Sequence, residues 1–203
     1  MKKENKESIE EYQDAYVDND MKEENKKRSI KSIIIELLVY LAIIYVCVYL
    51  IPTYVIQRTI VDGPSMENTL HDGENLLVEK ISYRLGNLER FDVIVFYPYG
   101  REFKEYYVKR VIGLPGETIQ IKENKIYING EELKEEYGKN DLSYEGIAWD
   151  AITIGEDEIF VLGDNREVSL DSRYEEVGLV SLDDIGGKVL LRIWPFNKFG
   201  TIK

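Results

Sequence analysis

The chain has 203 residues and a mass of 23.7 kDa, room for one domain of ordinary size plus extensions. Lys and Arg number 26 against 38 Asp and Glu, a net charge of −12, which argues against a phosphate backbone as partner, so no nucleic acid is expected. One His and one Cys cannot supply the clusters that zinc sites use, Cys47 can close no intrachain disulfide, and no loop has calcium or magnesium ligand spacing, although a carboxylate-only site stays open to so acidic a chain.

Residues 1–29 are polar and charged and predict a disordered tail. Ile33 to Ile56 is a run of 24 residues with one charge, Glu36. A bilayer core takes about 20 helical residues, and a helix apolar on every face does not suit a small soluble core. The run predicts a permanent anchor over 30–56. It begins too late, runs too long and lacks the small-x-small site of a cleaved leader. Lys22, Lys26, Lys27, Arg28 and Lys31 flank one end, and Arg58 alone the other. That asymmetry predicts a cytoplasmic N-terminus, and an extracytoplasmic domain over 57–203 on a single-pass protein of the cell membrane.

Beyond Gln57 the texture is β. ENLLVEKI (74–81), FDVIVFY (91–97), YYVKRVI (106–112), EIFVL (158–162) and KVLLRIW (188–194) are short runs rich in β-branched and aromatic residues. TIQI and KIYI flank KEN and predict a hairpin, with Asn129-Gly130 as the next turn. The polar stretch 129–155 predicts a loop or small insertion. The fold class expected is mainly β: one transmembrane helix followed by an antiparallel sheet.

Three stretches carry candidate chemistry: GPSMENTL (63–70), YVKRVIGLPGE (107–117) and GDNREVSLDSR (163–173). Ser65 invites comparison with the G-x-S-x-G elbow, but the last Gly is missing and no His follows residue 71. The S-x-x-K pattern fails as well, since Asn68 stands where Lys is needed. His71 beside Asp72-Gly73 reads as a turn or surface residue. A lysine base must be neutral, and an exposed one is neutral in only about one molecule in a thousand at neutral pH. Burial lowers its pKa, and near a value of ~8 roughly a fifth is neutral. Strand alternation puts Lys109 on one face with Tyr107 and Val111, and Arg110 on the other with Val108 and Ile112. Lys109 is therefore either a desolvated base or an ordinary solvated strand lysine. Trp149 and Trp194 suit either lipid contact or sheet packing.

Gly63-Pro64-Ser65-Met66 with Thr69-Leu70, Tyr107-Val108-Lys109-Arg110 with Gly113-Leu114-Pro115-Gly116, and Gly163-Asp164-Asn165 with Ser169 and Asp171-Ser172-Arg173 resemble the three signature boxes of type I signal peptidases, Gram-positive members in particular. Their order, spacing and place after an N-terminal span agree with the family. The resemblance runs from about residue 30 to the C-terminus. It implies a β-sheet catalytic domain of signal-peptidase type, with Ser65 as nucleophile, Lys109 as general base and no metal or cofactor. It implies that Ser169 orients the lysine, that Asp171 and Arg173 form a supporting charge pair, and that Asp164 supports the same box. Ser65 N–H would serve as the oxyanion donor. Some members add a serine hydroxyl two residues earlier, where this chain has Gly63. The second box ends Pro115-Gly116-Glu117 where Pro-Gly-Asp is common.

The activity implied is removal of signal peptides from exported preproteins at Ala-x-Ala-type sites, beside the bilayer and near the secretion machinery. Ser65 lies nine residues beyond Ile56, a reach of at most ~30 Å. Met66, Leu70, Leu76, Tyr107 and Val108 are candidates for the substrate pocket, with core packing as their other reading. A bound peptide would add a strand beside 61–63 and 106–108. Two other functions compete: a catalytically silent assembly factor for surface structures, which would lack the Ser or the Lys, and a self-cleaving repressor, which would carry a DNA-binding motif and no anchor. The residues do not say which preproteins are cut, whether paralogues share the task, or what the oligomeric state is.

Overall fold

The computed structural model describes residues 30–86 and 88–202; the expectation of a disordered tail over 1–29 lies outside them. The chain forms two compact units, one ending at Tyr49 and one running from Leu50. The apolar run is helical from Ile30 to Tyr54, with mean hydropathy 2.6 and no buried residue in its most apolar window. Helix α1 (Ile30–Tyr45) passes into a π-helical turn, Val46–Leu50, and then α2 (Ile51–Tyr54). Pro52 brings no N–H to the ladder, and the turn before it widens. Lys80 Nζ donates to the carbonyls of Pro52 and Thr53 at 3.2 and 3.1 Å, a cationic cap on the last carbonyls. The helix therefore stops short of the expected end at 56, and Ile56 opens the first strand.

The β unit begins with β1 (Ile56–Ile60), β2 (Asn75–Glu79), β3 (Val93–Phe96) and β4 (Tyr107–Gly113). A second group follows: β5 (Thr118–Lys122), β6 (Lys125–Ile128), β7 (Glu131–Glu132) and β8 (Ile152–Thr153). The chain then returns as β9 (Glu158–Leu162), β10 (Val180–Ser181), β11 (Ile185–Trp194) and β12 (Gly200–Thr201). One sheet has eight strands in the order β1-β2-β11-β3-β4-β9-β10, with β12 on β11; the other runs β7-β6-β5-β8. Every named pairing is antiparallel.

The central strands are buried on both faces. On β3, Val93 and Val95 enter one apolar cluster while Ile94 and Phe96 enter another. On β9, Ile159 and Val161 face one cluster, and Phe160 and Leu162 a third. Such strands read as continuous apolar runs because neither face meets water. The small sheet is inserted between β4 and β9, so these two sheet neighbours stand side by side with the excursion leaving from one and returning to the other.

Candidate active site

Ser65 sits in the wide loop that joins β1 to β2. The loop neck is closed by Val61 N–H to Glu74 O and Gly73 N–H to Val61 O, both 2.9 Å. Gly63 takes φ +83°, a left-handed conformation that suits glycine, and its N–H donates to Asp72 Oδ1 at 2.9 Å. Met66 and Leu70 are buried in the core beneath the turn. These two anchors hold the intervening residues at the surface of the sheet.

Lys109 lies at the middle of β4, paired to β3 on one side. Its side chain is 3% exposed, and Nζ is 2.9 Å from Ser65 Oγ and 3.2 Å from Val108 O. The Tyr107 ring lies 5.0 Å from Nζ. Burial pushes the lysine pKa down to about 8, against the upward pull of the Asp171 and Asp164 carboxylates. Both acids are already engaged. Asp164 takes a bidentate bond from Arg110, 2.8 and 2.7 Å, with both side chains fully buried, and accepts from Thr69 Oγ1. Asp171 accepts from Arg173 Nε at 2.8 Å and Nη2 at 3.0 Å, and from Gly163 N–H at 3.0 Å.

The segment 163–173 follows β9 and closes on the nucleophile loop. Asn165 N–H donates to Ser65 O at 3.0 Å, and Asn165 Nδ2 to Pro64 O at 3.2 Å. The approach is so close that a Cβ on Gly163 would lie 2.5 Å from Ser65 O and 2.2 Å from Ser169 Oγ. Only glycine fits there. Ser169 is buried, and its Oγ has no hydrogen-bond partner among the described residues. A buried orphan hydroxyl is uncommon, and this one is not among the bonds of Lys109, where the resemblance puts it.

A cleft of about 200 Å³ opens beside Ser65 and Lys109. Of the five candidate pocket residues, Met66, Tyr107 and Val108 line it. Leu70 and Leu76 do not: both are fully buried in the cluster of Val61 and Met66, Leu70 beneath the loop and Leu76 on β2. The cleft takes its remaining walls from Val61, Asp62, Tyr106, Val168 and Leu170. Val61 and Tyr106 belong to the two segments expected to pair with a peptide, 61–63 and 106–108; Val168 and Leu170 alternate with Ser169 in the third box. A larger cavity, about 820 Å³, lies beside β6 and the 133–142 segment, away from the serine and lysine. Among the described residues no three His, Cys, Asp or Glu side chains gather as a metal cluster.

The description "Signal peptidase, peptidase S26" matches residues 34–194. The chain belongs to this family. Among curated relatives, signal peptidase IB of Staphylococcus aureus strain COL is 35% identical over 187 residues, covering 84% of this chain and 94% of that protein. Signal peptidase I P of Bacillus subtilis subsp. natto is 37% identical over 180 residues, covering 85% and 95%. A crystal structure of a signal peptidase I from Enterococcus faecalis, 36% identical, covers 50% of this chain and 95% of its own, with TM-score 0.39. The matched range takes in the helix from residue 34 onward and all three boxes, so this family member carries each box within its homologous region.

Proposed function

We propose that this membrane-anchored serine peptidase cleaves N-terminal signal peptides from exported preproteins at Ala-x-Ala-type sites, with Ser65 and Lys109 as its dyad. The observation that carries this reading is the 2.9 Å contact between Ser65 Oγ and Nζ of a buried lysine with pKa about 8. A lysine poised there is neutral in roughly a fifth of molecules at pH 7.4, enough to serve as a general base.

Ser65 Oγ attacks the scissile carbonyl carbon while its proton passes to Lys109 Nζ. The carbonyl oxygen becomes an oxyanion and accepts from Ser65 N–H, a donor of the kind worth about 3–4 kcal/mol. Collapse breaks the C–N bond, and Lys109 returns its proton to the leaving amine. Water then attacks the acyl-enzyme, giving a proton to Lys109, which passes it to the departing Ser65 Oγ. Gly63 N–H is held by Asp72, so this chain's oxyanion hole rests on Ser65. Ser169, buried and unpaired against Gly163, is available to orient the lysine, and the Asp171–Arg173 and Arg110–Asp164 pairs keep the third box in place.

The small cleft suits small side chains, and the substrate lies extended beside 61–63 and 106–108. The N-terminus is cytoplasmic, and the catalytic unit acts outside, at the bilayer and close to the secretion machinery. The test is cleavage of an Ala-x-Ala preprotein by the full chain in detergent. Ser65→Ala and Lys109→Ala are each expected to lose at least about 10⁴-fold in kcat. Cleavage surviving in Lys109→Ala would require another base. A folded but inert wild type would favour the silent assembly factor.

A further inference from the structure

The excursion between β4 and β9 does not end at the small sheet. After β7, residues 133–140 run without regular structure and reach the turn 163–166. Lys139 N–H donates to Asp164 O at 2.7 Å, and Arg166 N–H returns a bond to Lys139 O at 3.2 Å. Arg166, 3% exposed, meets the Glu135 carboxylate through its two terminal guanidinium nitrogens, Nη1 and Nη2, at 2.5 and 2.6 Å, and its Nε donates to Gly163 O. The Tyr137 ring lies 3.7 Å from the guanidinium carbon of Arg110. Asn140 Nδ2 donates to Asn165 Oδ1 at 3.2 Å.

That last bond secures the far end of the Asn165 amide. Pro64 O can only accept, so it takes Nδ2, and Oδ1 is left to accept from Asn140 Nδ2. The Pro64–Ser65 peptide is planar and trans, so its C=O and N–H point in opposite directions. Pro64 O is held by two donors, Glu67 N–H at 3.0 Å and Asn165 Nδ2 at 3.2 Å, and together they set the direction of Ser65 N–H. We propose that the 133–140 strap positions the oxyanion donor: Asn140 acts through Asn165 on the Pro64–Ser65 peptide, and Glu135 fastens the strap to Arg166. Neither residue touches substrate; both are positioning residues. The inference rests on the Ser65–Lys109 reading and adds to it a part of the chain that none of the three boxes contains.

Asn140→Asp tests it with little risk to folding. Asn140 is exposed and has φ +66°, which Asp tolerates. Its carboxylate can only accept, so it repels Asn165 Oδ1 and favours the flipped amide, which turns an oxygen toward Pro64 O. Glu135→Gln loosens the strap at its other anchor. Both are made in the full chain in detergent, with kcat and KM on an Ala-x-Ala preprotein and single-turnover acylation by a slowly deacylating activated ester. The ester's amplitude counts folded sites, and its rate reads their geometry. The expected result is a kcat and acylation rate about tenfold lower, part of the 10²–10³ that outright loss of an oxyanion donor costs, with KM and amplitude near wild type. A second line is Asn165→Ala, whose loss Asn140→Asp should not deepen. Wild-type rates per titrated site in both variants would overturn the proposal. So would a fall in amplitude and Tm at unchanged rate, which would make the strap a matter of fold alone. A wild type that neither acylates nor cleaves would remove the dyad reading and this inference with it, whereas a competent wild type with indifferent variants removes this one only.

Discussion

Two basic residues stand side by side on β4 and meet opposite fates. Lys109 and Arg110 are both buried, and as strand neighbours they project to opposite faces. Arg110 is given a full set of partners: both oxygens of Asp164, Phe91 O, Thr69 Oγ1 and the face of Tyr137. Lys109 is given a serine hydroxyl and one carbonyl. A buried charge survives when it is paired, and otherwise the group tends to neutralise. Arginine, always protonated, takes the paired side; lysine, whose pKa moves readily, takes the unpaired one. The carboxylates nearest Lys109 are held by arginines, Asp164 by Arg110 and Asp171 by Arg173, so neither bonds to the lysine. The third box thus works partly by keeping negative charge occupied elsewhere.

The contrast is broken most severely on the paired side. Asp164→Asn leaves Arg110 charged, buried and short of its carboxylate. Removing one partner of a buried pair costs about 3–5 kcal/mol, or a Tm lower by about 10 °C in a unit of this size. Differential scanning calorimetry of the detergent-solubilised protein measures it. A loss under about 1 kcal/mol would mean that Phe91 O, Thr69 and Tyr137 suffice for Arg110.

On the unpaired side the sign reverses. The unfolded lysine titrates at 10.5 and the folded one at about 8, so between those values the unfolded chain holds more protons and stability rises with pH. Below pH 8 the whole penalty stands, about 3 kcal/mol at 1.36 kcal/mol per unit. Lys109→Met removes that penalty and gives up one hydrogen bond worth about 1 kcal/mol. The Lys109→Met variant should be more stable than wild type by about 2 kcal/mol at pH 7, and denaturant titrations should show the gap closing as pH approaches 10. A gap independent of pH would show that Lys109 is charged in the fold.

Much of this was legible in the chain itself. The runs that became β3, β4 and β9 are continuous and largely apolar because their strands are covered on both faces. Strand alternation left Lys109 either a desolvated base or an ordinary solvated lysine, and the family resemblance favoured the first; its burial and its contact with Ser65 Oγ come from the fold. Other features depend on contacts between distant segments. Leu70 and Leu76 lie near Ser65 in sequence and were candidates for the cleft wall, yet both are packed into the core cluster with Val61 and Met66. Ile56–Ile60 merges with the apolar run before it, and nothing local separates strand from helix until Pro52 acts. Glu135, Tyr137 and Asn140 belong to a polar stretch with no period; their partners Arg166, Arg110 and Asn165 lie 25 to 31 residues away.

The finest difference between the two faces is aromatic. Tyr107 presents its ring to Lys109 at 5.0 Å as Tyr137 does to Arg110 at 3.7 Å, and a ring face favours the cation. For Arg110 that adds to a charge already secured. For Lys109 the ring face would favour the charged form, against burial. Wild-type kcat/KM should rise about tenfold per pH unit up to a midpoint near 8 and then level off, because only neutral Lys109 accepts the proton. Tyr107→Leu removes a contribution of about 0.5–1 kcal/mol, so the midpoint should move down by roughly half a pH unit. The variant also loses a wall of the cleft, which lowers the plateau without moving the midpoint. Tyr107→Phe separates the two effects: it keeps the ring, gives up only the 3.3 Å contact with Tyr99 Oη, and should titrate like wild type. A midpoint that shifts equally in both variants would trace the influence of Tyr107 to its hydroxyl and take the ring out of the account.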